Sequence, residues 1–240
     1  MGLRTFAGLI LEERDSSQAP PGTRSTGYRS AGGESVDRSQ SVEEDLSVGQ
    51  VPRTLPEGLL MDGNVIILTG PPGSGKSTVA SSLARNFAQG VHLHADDFWH
   101  YIVAGAIPPF DPASAAQNQT VMDVIAGAAI RYAAGGFTTV LDGIVGPWML
   151  HHFRDRTLDI AVHYVVLRPS RDVALTRAQS RTSPDALVDE QPVLAMWDQF
   201  ASIGEFEPNV LDTSTDDTRR TIERVMHAVA TNTFRLDARP

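Results

Sequence analysis

The sequence contains no cysteine. That excludes a disulfide, a thiolate zinc site and a cysteine nucleophile, and it suits a reducing cytoplasm. Lysine is almost absent too. Lys76 is the only one, and every other cationic side chain is arginine. No apolar run approaches the length of a membrane span. Ala7 to Leu11 is too short for the core of a signal peptide, and Glu12 and Glu13 follow at once. Phe6 stands where a myristoylation signal needs Ser or Thr. There is no excess of positive charge either. The net charge of −9 argues against a nucleic-acid surface. The expectation is a cytoplasmic protein with neither a membrane nor a nucleic acid as partner.

The chain has 240 residues, 41% of them hydrophobic, enough for one α/β domain with an appendage. Residues 1–60 differ from the rest. From Asp15 to Gln50 the chain is mostly Ser, Gly, Arg, Glu and Asp, which cannot bury enough apolar surface to offset the entropy of ordering. A disordered tail over 1–60, a folded domain over 61–232 and a short C-terminal tail over 233–240 are therefore expected. Met61 directly precedes the first predicted strand and is a candidate alternative start of translation.

The folded part begins with Asn64 to Thr69, a β-branched apolar run that reads as a buried parallel strand. Gly70-Pro71-Pro72-Gly73-Ser74-Gly75-Lys76-Ser77-Thr78 follows and fits the pattern G-x-x-x-x-G-K-[ST]. A helix is predicted after it, with Val79, Leu83 and Phe87 on one side. Glycines between a strand and a helix let backbone N–H groups face a phosphate, and the helix offers its positive end to the same anion. Lys76 would add a charge at the β- and γ-phosphates, and Ser77 a hydroxyl for Mg²⁺. The pattern points to a nucleotide with Mg²⁺ as cofactors, ATP in the reading adopted below.

Further candidates follow at strand ends. A second strand, Val91 to His94, runs into Asp96 and Asp97. Ligands of open α/β sheets sit beyond the carboxyl ends of strands, so at least one of these carboxylates is a candidate for the site. The strand histidines His92 and His94 read as filler of a helix-facing layer. A helix is predicted over Pro112 to Ala134 with Val121, Val124, Ile125 and Ala128 inward. The third strand, Phe137 to Leu141, ends in Asp142, the arrangement that holds Mg²⁺ downstream of a P-loop. Gly143 would let an acceptor approach the backbone, and Trp148 is either a wall of the acceptor pocket or core. After a fourth strand, Ile160 to Leu167, come Arg168, Arg171, Arg177 and Arg181, of which at least one is expected to reach the nucleotide. A helix over Val188 to Ile203, a short strand Asn209 to Leu211, the loop Asp212-Thr213, and a last helix to about Ala230 complete the chain.

This order of elements is that of a doubly wound parallel sheet. Between Gly63 and Ala230 the chain resembles small P-loop kinases of the nucleoside-monophosphate-kinase-like group. His94-Ala95-Asp96-Asp97-Phe98-Trp99 and Leu141-Asp142-Gly143 resemble in particular the chloramphenicol phosphotransferase-like and zeta-toxin-like ATP-binding proteins. The resemblance implies a P-loop NTPase fold with five strands in the order 2-3-1-4-5. It also implies Asp96 as base toward an acceptor hydroxyl and a lid over Arg168 to Arg181. Arg177 and Arg181 would then contact the nucleotide, with adenine near Asp212 and Thr213. The chain departs from the group in lacking a long nucleoside-monophosphate insert and the basic acceptor loops of sugar-acid kinases. The expected activity is ATP-dependent transfer to a hydroxyl of a small molecule. Lys76, Asp96 and Arg177 would be catalytic, Ser77 and Asp142 on the metal, and Asp96, Asp97, Gly143 and Trp148 toward the acceptor. The rivals are a nucleotide-dependent switch and an oligomeric ATPase. The single lysine, Lys76, excludes the N-K-x-D motif of a GTPase, and the short stretch after Ala230 argues against the sensor domain of an oligomeric ATPase.

Overall fold

The computed structural model describes residues 63–154, 160–182 and 186–236. The expected tail over 1–60 lies outside the described residues. The elements are β1 (Val65–Thr69), α1 (Lys76–Ala84), β2 (Gly90–His94), α2 (Ala95–His100), α3 (Ala115–Ala134), β3 (Thr138–Gly143), α4 (His151–Arg154), β4 (Val162–Leu167), α5 (Arg171–Gln179), α6 (Glu190–Gln199), β5 (Val210–Leu211) and α7 (Thr218–Ala230). The strands pair in parallel in the order β2-β3-β1-β4-β5, as the resemblance implies. This is the P-loop NTPase fold. No helix among the described residues is long and apolar enough to cross a membrane.

Strand β1 is the centre of the sheet, and its side chains are buried on both faces. Val65 and Ile67 pack toward Ile125 and Ala129 of α3, while Ile66 and Leu68 pack toward Leu83 of α1 and Val225 of α7. Each such side chain stabilises the fold by about 1.5–3 kcal/mol. Helix α7 shows the period that sets its seat: Ile222, Val225, Met226 and Val229 are buried, and Asp217 caps its start by accepting from Arg220 N at 2.7 Å.

Helix α3 differs from the expectation. A single 3-10 turn over Pro112–Ser114 precedes it, and its buried face carries Val121, Met122, Ile125, Ala126, Ala129 and Ala133. Val124 is exposed. The buried stripe is rich in alanine, and small residues carry little weight in a periodicity count, so the face read from Val124 and Ala128 was rotated. Similarly, α6 is shorter than expected, and a 3-10 segment, Gly204–Asn209, leads into β5.

Residues 233–236, part of the stretch 233–240 expected as a tail, add to the domain. Tyr164 N donates to Phe234 O at 2.8 Å and Leu236 N to Val162 O at 2.7 Å. Arg235 bridges His163 in antiparallel fashion. Because β5 spans only Val210–Leu211 and pairs with Val166 and Leu167, the first half of β4 would otherwise present an open edge. Phe234 and Leu236 are buried as a result.

His163 has no exposed surface, and neither ring nitrogen has a hydrogen-bond partner among the described residues. Burial, with a smaller contribution from Arg235, pushes its pKa down to about 4. The unfolded chain therefore binds a proton near pH 6.5 that the folded chain refuses until about 4. Stability falls as pH drops through this window, by up to about 3 kcal/mol. His94 has the opposite sense, since its pKa is raised and its contribution fades at higher pH. Urea unfolding between pH 6.5 and 4 checks this: His163→Leu is expected to lose most of the acid-dependent slope of the wild type.

Candidate active site

The strand order reverses direction between β1 and β4, and the loop after β1 sits at that point. Two glycines make this seat possible. A Cβ on Gly70 would lie 2.1 Å from the carbonyl oxygen of Leu167 at the end of β4. A Cβ on Gly73 would lie 2.0 Å from that of Ala174 in α5, and φ at Gly73 is +78°. Only glycine allows both the close approach and the left-handed turn. Gly75, also left-handed, caps α1, so the loop from Gly70 through Pro71 and Pro72 enters the helix at Lys76 with its free N–H groups forward. The hydroxyl of Ser74 is buried with no partner among the described residues. Lys76 is buried and has no hydrogen-bond partner among the described residues. Its burial, with repulsion from Arg181, lowers its pKa to about 8 against the pull of Asp96 and Asp142. A buried ammonium, an unpaired hydroxyl and a backbone that leaves no room for side chains fit the phosphates of a nucleotide.

Ser77 and Asp142 meet directly, Oγ donating to Oδ2 at 2.6 Å. Asp142 lies within β3 rather than after it, and its side chain has no exposed surface. Burial alone would push its pKa up. Hydrogen bonds from His92, His94 and Ser77 overcome that and hold the carboxyl well below the usual range. The two histidines do not fill a helix-facing apolar layer as expected. His92 Nε2 is 2.5 Å from Asp142 Oδ1, and His94 Nδ1 is 3.2 Å from both carboxylate oxygens. These contacts could not be read without the strand order, which puts β2 beside β3 with His94 level with Asp142.

Asp96 and Asp97 are both exposed and belong to the first turn of α2, not to the strand. Strand alternation therefore does not separate them; helix rotation does. Asp96 turns toward the P-loop, where it acts on Lys76 and lies 3.8 Å from His94 Nε2. Gly143 ends β3 against Ala95, where a Cβ would come within 2.5 Å of the Ala95 Cβ. Its glycine is thus required by α2 packing on β3. Trp148 is half-buried, packs on the α3-side core, and has a buried Nε1 without a partner.

The arginines divide. Arg168 is committed to the scaffold, pairing with both oxygens of Glu207 at 3.0 and 2.9 Å and donating to Phe200 O at 2.7 Å. Arg171 lies 3.4 Å from Asp198 of α6. Arg177 donates through Nη2 to the carbonyls of Thr213, Ser214 and Asp216 at 3.1–3.4 Å, pinning the loop after β5. In that loop Asp212 accepts from Ser214, and Thr213 is buried. Arg181 lies just past the end of α5 and is exposed. A cleft of about 420 Å³ opens beside the P-loop, lined by Gly73, Gly75, Thr78, Arg177, Arg181 and Asp217 among others. The residues at the start of α7 were not anticipated as lining. They carry no motif, and only the sheet order brings them next to the P-loop.

A family model described as an AAA domain matches residues 65–203. The chain belongs to that family. The match runs from β1 through α6 and so spans the P-loop, Asp96, Asp142 and the arginines. No curated protein matches this AAA-domain chain. Similar solved structures include the tunicamycin resistance protein of Deinococcus radiodurans, 18% identical with a TM-score of 0.52 over 69% of this chain and 95% of that one. Another is the APS kinase of Mycobacterium tuberculosis in complex with AMPPNP and APS, 16% identical with a TM-score of 0.51 over 70% and 98%. A gluconokinase from Sinorhizobium meliloti 1021 is 16% identical with a TM-score of 0.50 over 73% and 95%. At these identities the likeness is one of fold, that of the small P-loop kinases.

The two roles of arginine can be separated experimentally. Arg168→Ala is expected to lower Tm and leave nucleotide affinity nearly unchanged. Arg181→Ala is expected to leave the Tm of the nucleotide-free protein unchanged and weaken ATP binding about tenfold. Thermal unfolding and calorimetric titration of both variants check this.

Proposed function

We propose that this protein transfers the γ-phosphoryl group of ATP to a hydroxyl of a small molecule. The observation that carries the reading is Lys76: a buried ammonium at the head of a P-loop, without a hydrogen-bond partner among the described residues and in the field of Asp96, Asp142 and Arg181 together. Phosphoryl transfer needs positioning and charge neutralisation more than covalent chemistry, and these groups supply both.

The loop from Gly70 to Thr78 would cradle the phosphates with its N–H groups, and Ser74 would find there the partner it lacks. Ser77 and Asp142 would hold Mg²⁺, which would supply charge neutralisation. Lys76 would hold the phosphoryl group as negative charge shifts toward the leaving oxygen. Arg181 reaches the same cleft from the end of α5. Arg177 would serve by fixing the loop at Asp212 and Thr213, on which the base would rest. Asp96 would accept the proton of the acceptor hydroxyl, with Asp97 bracing the turn. Gly143 and Trp148 would lie toward the acceptor. The likeness of the fold to small-molecule kinases supports this reading. A nucleotide-dependent switch or an ATPase without an acceptor is the rival; no contact in the site favours it.

Lys76→Ala is expected to abolish turnover and weaken nucleotide binding while the fold survives; an unchanged rate would remove the nucleotide site. The two carboxylates are separable in the same assay. Asp96→Asn is expected to lower the transfer rate by about 10²–10⁴-fold with ATP affinity nearly unchanged. Asp142→Asn is expected to raise the Mg²⁺ requirement, with excess Mg²⁺ restoring part of the rate. Asp97→Asn is expected to do less than either. A dead Asp97→Asn beside an active Asp96→Asn would move the base by one residue.

A further inference from the structure

The reading above leaves two histidines of an edge strand unexplained. Strand β2 lies at the end of the sheet, next to β3 only. Its register sets Gly90 against Thr138, His92 against Val140 and His94 against Asp142, so both histidines share a face with the Asp142 carboxylate. Their side chains are 28% and 34% exposed, so neither is there to fill a core. Both turn their polar edge to the same buried group. His92 Nε2 reaches Oδ1 at 2.5 Å, His94 Nδ1 reaches both oxygens at 3.2 Å, and Ser77 Oγ reaches Oδ2 at 2.6 Å. A carboxylate held by one donor can rotate about its last side-chain bond. Held by donors from β2 and from the P-loop helix that together engage both oxygens, it has one orientation.

We propose that His92 and His94 are positioning residues that fix the Asp142 carboxylate, keeping Oδ2 at Ser77 and turned to the phosphate end of the P-loop. His94 also lies 3.8 Å from Asp96 through its other nitrogen. The proposal rests on the reading of Ser77 and Asp142 as the pair that takes Mg²⁺. Partners of this kind are worth about 10–100-fold in metal affinity when they orient a ligand.

The test is binding of a fluorescent, non-hydrolysable ATP analogue to the full chain across a Mg²⁺ titration. The variants are His92→Leu, His92→Gln, His94→Leu and His94→Asn. Gln at 92 returns an N–H near Nε2, and Asn at 94 returns one near Nδ1; leucine returns neither. Affinity for the analogue without Mg²⁺ is expected to match wild type throughout. The Mg²⁺ concentration at half effect is expected to rise about 10–100-fold in the leucine variants, with the amide variants recovering most of it. Should a leucine variant fail to fold, the alanine variant at the same position replaces it. An unchanged Mg²⁺ midpoint in the leucine variants would overturn the positioning role alone. So would an equal rise in leucine and amide variants. A wild type that does not bind the analogue would overturn the nucleotide site and the positioning role with it.

Discussion

A buried ammonium and a buried carboxylate, Lys76 and Asp142, face the same end of the sheet, and the surrounding structure is arranged to keep both in place. Burial disfavours each charge. Asp142 is compensated by three donors, and its proton affinity is held down accordingly. Lys76 is compensated less, by the more distant Asp96 and Asp142 against burial and Arg181, and its pKa falls to about 8. The asymmetry is chemically informative. A carboxylate already satisfied by fixed donors is preorganised, whereas an ammonium without a hydrogen bond is set to receive an anion.

The scaffold serves this arrangement through register. Parallel pairing of β1 with both β3 and β4 brings Thr69, Gly143 and Val166 level, so the P-loop leaves the sheet where β3 ends. Thr69 then accepts from Val145 N at 2.9 Å, and Tyr164 donates to Val145 O at 2.9 Å, fixing the chain that follows Asp142 from two sides. The closeness of Gly70 to Leu167 and of Gly73 to Ala174 couples the loop to β4 and α5. Arg177 and Arg168 extend that coupling to the loop after β5 and to the segment after α6.

Much of this was legible in the sequence where local chemistry determines structure. The run from Gly70 to Thr78 needs those residue types in that order, and β1 reads as buried because both of its faces are apolar. Asp142 stood out because it ends an apolar strand. What was missed depends on pairing. His92 and His94 acquire a role only when β2 lies beside β3. The α7 start lines the cleft only because β5 is the edge opposite β2. Arg168 looked equivalent to Arg181 in the sequence, but Glu207 and the Phe200 carbonyl claim it. The α3 face was misread because alanines, which are buried at small cost and carry little signal, make up much of it.

The central claim is that the phosphoryl group leaves ATP for an organic hydroxyl and not for water. The direct measurement is incubation of the wild type with γ-labelled ATP and Mg²⁺ against a panel of hydroxyl-bearing metabolites and antibiotics, with Lys76→Ala as control. The account predicts label in a phosphorylated acceptor with the wild type and none with Lys76→Ala. Label recovered only as inorganic phosphate, at a rate no panel member changes, would contradict it.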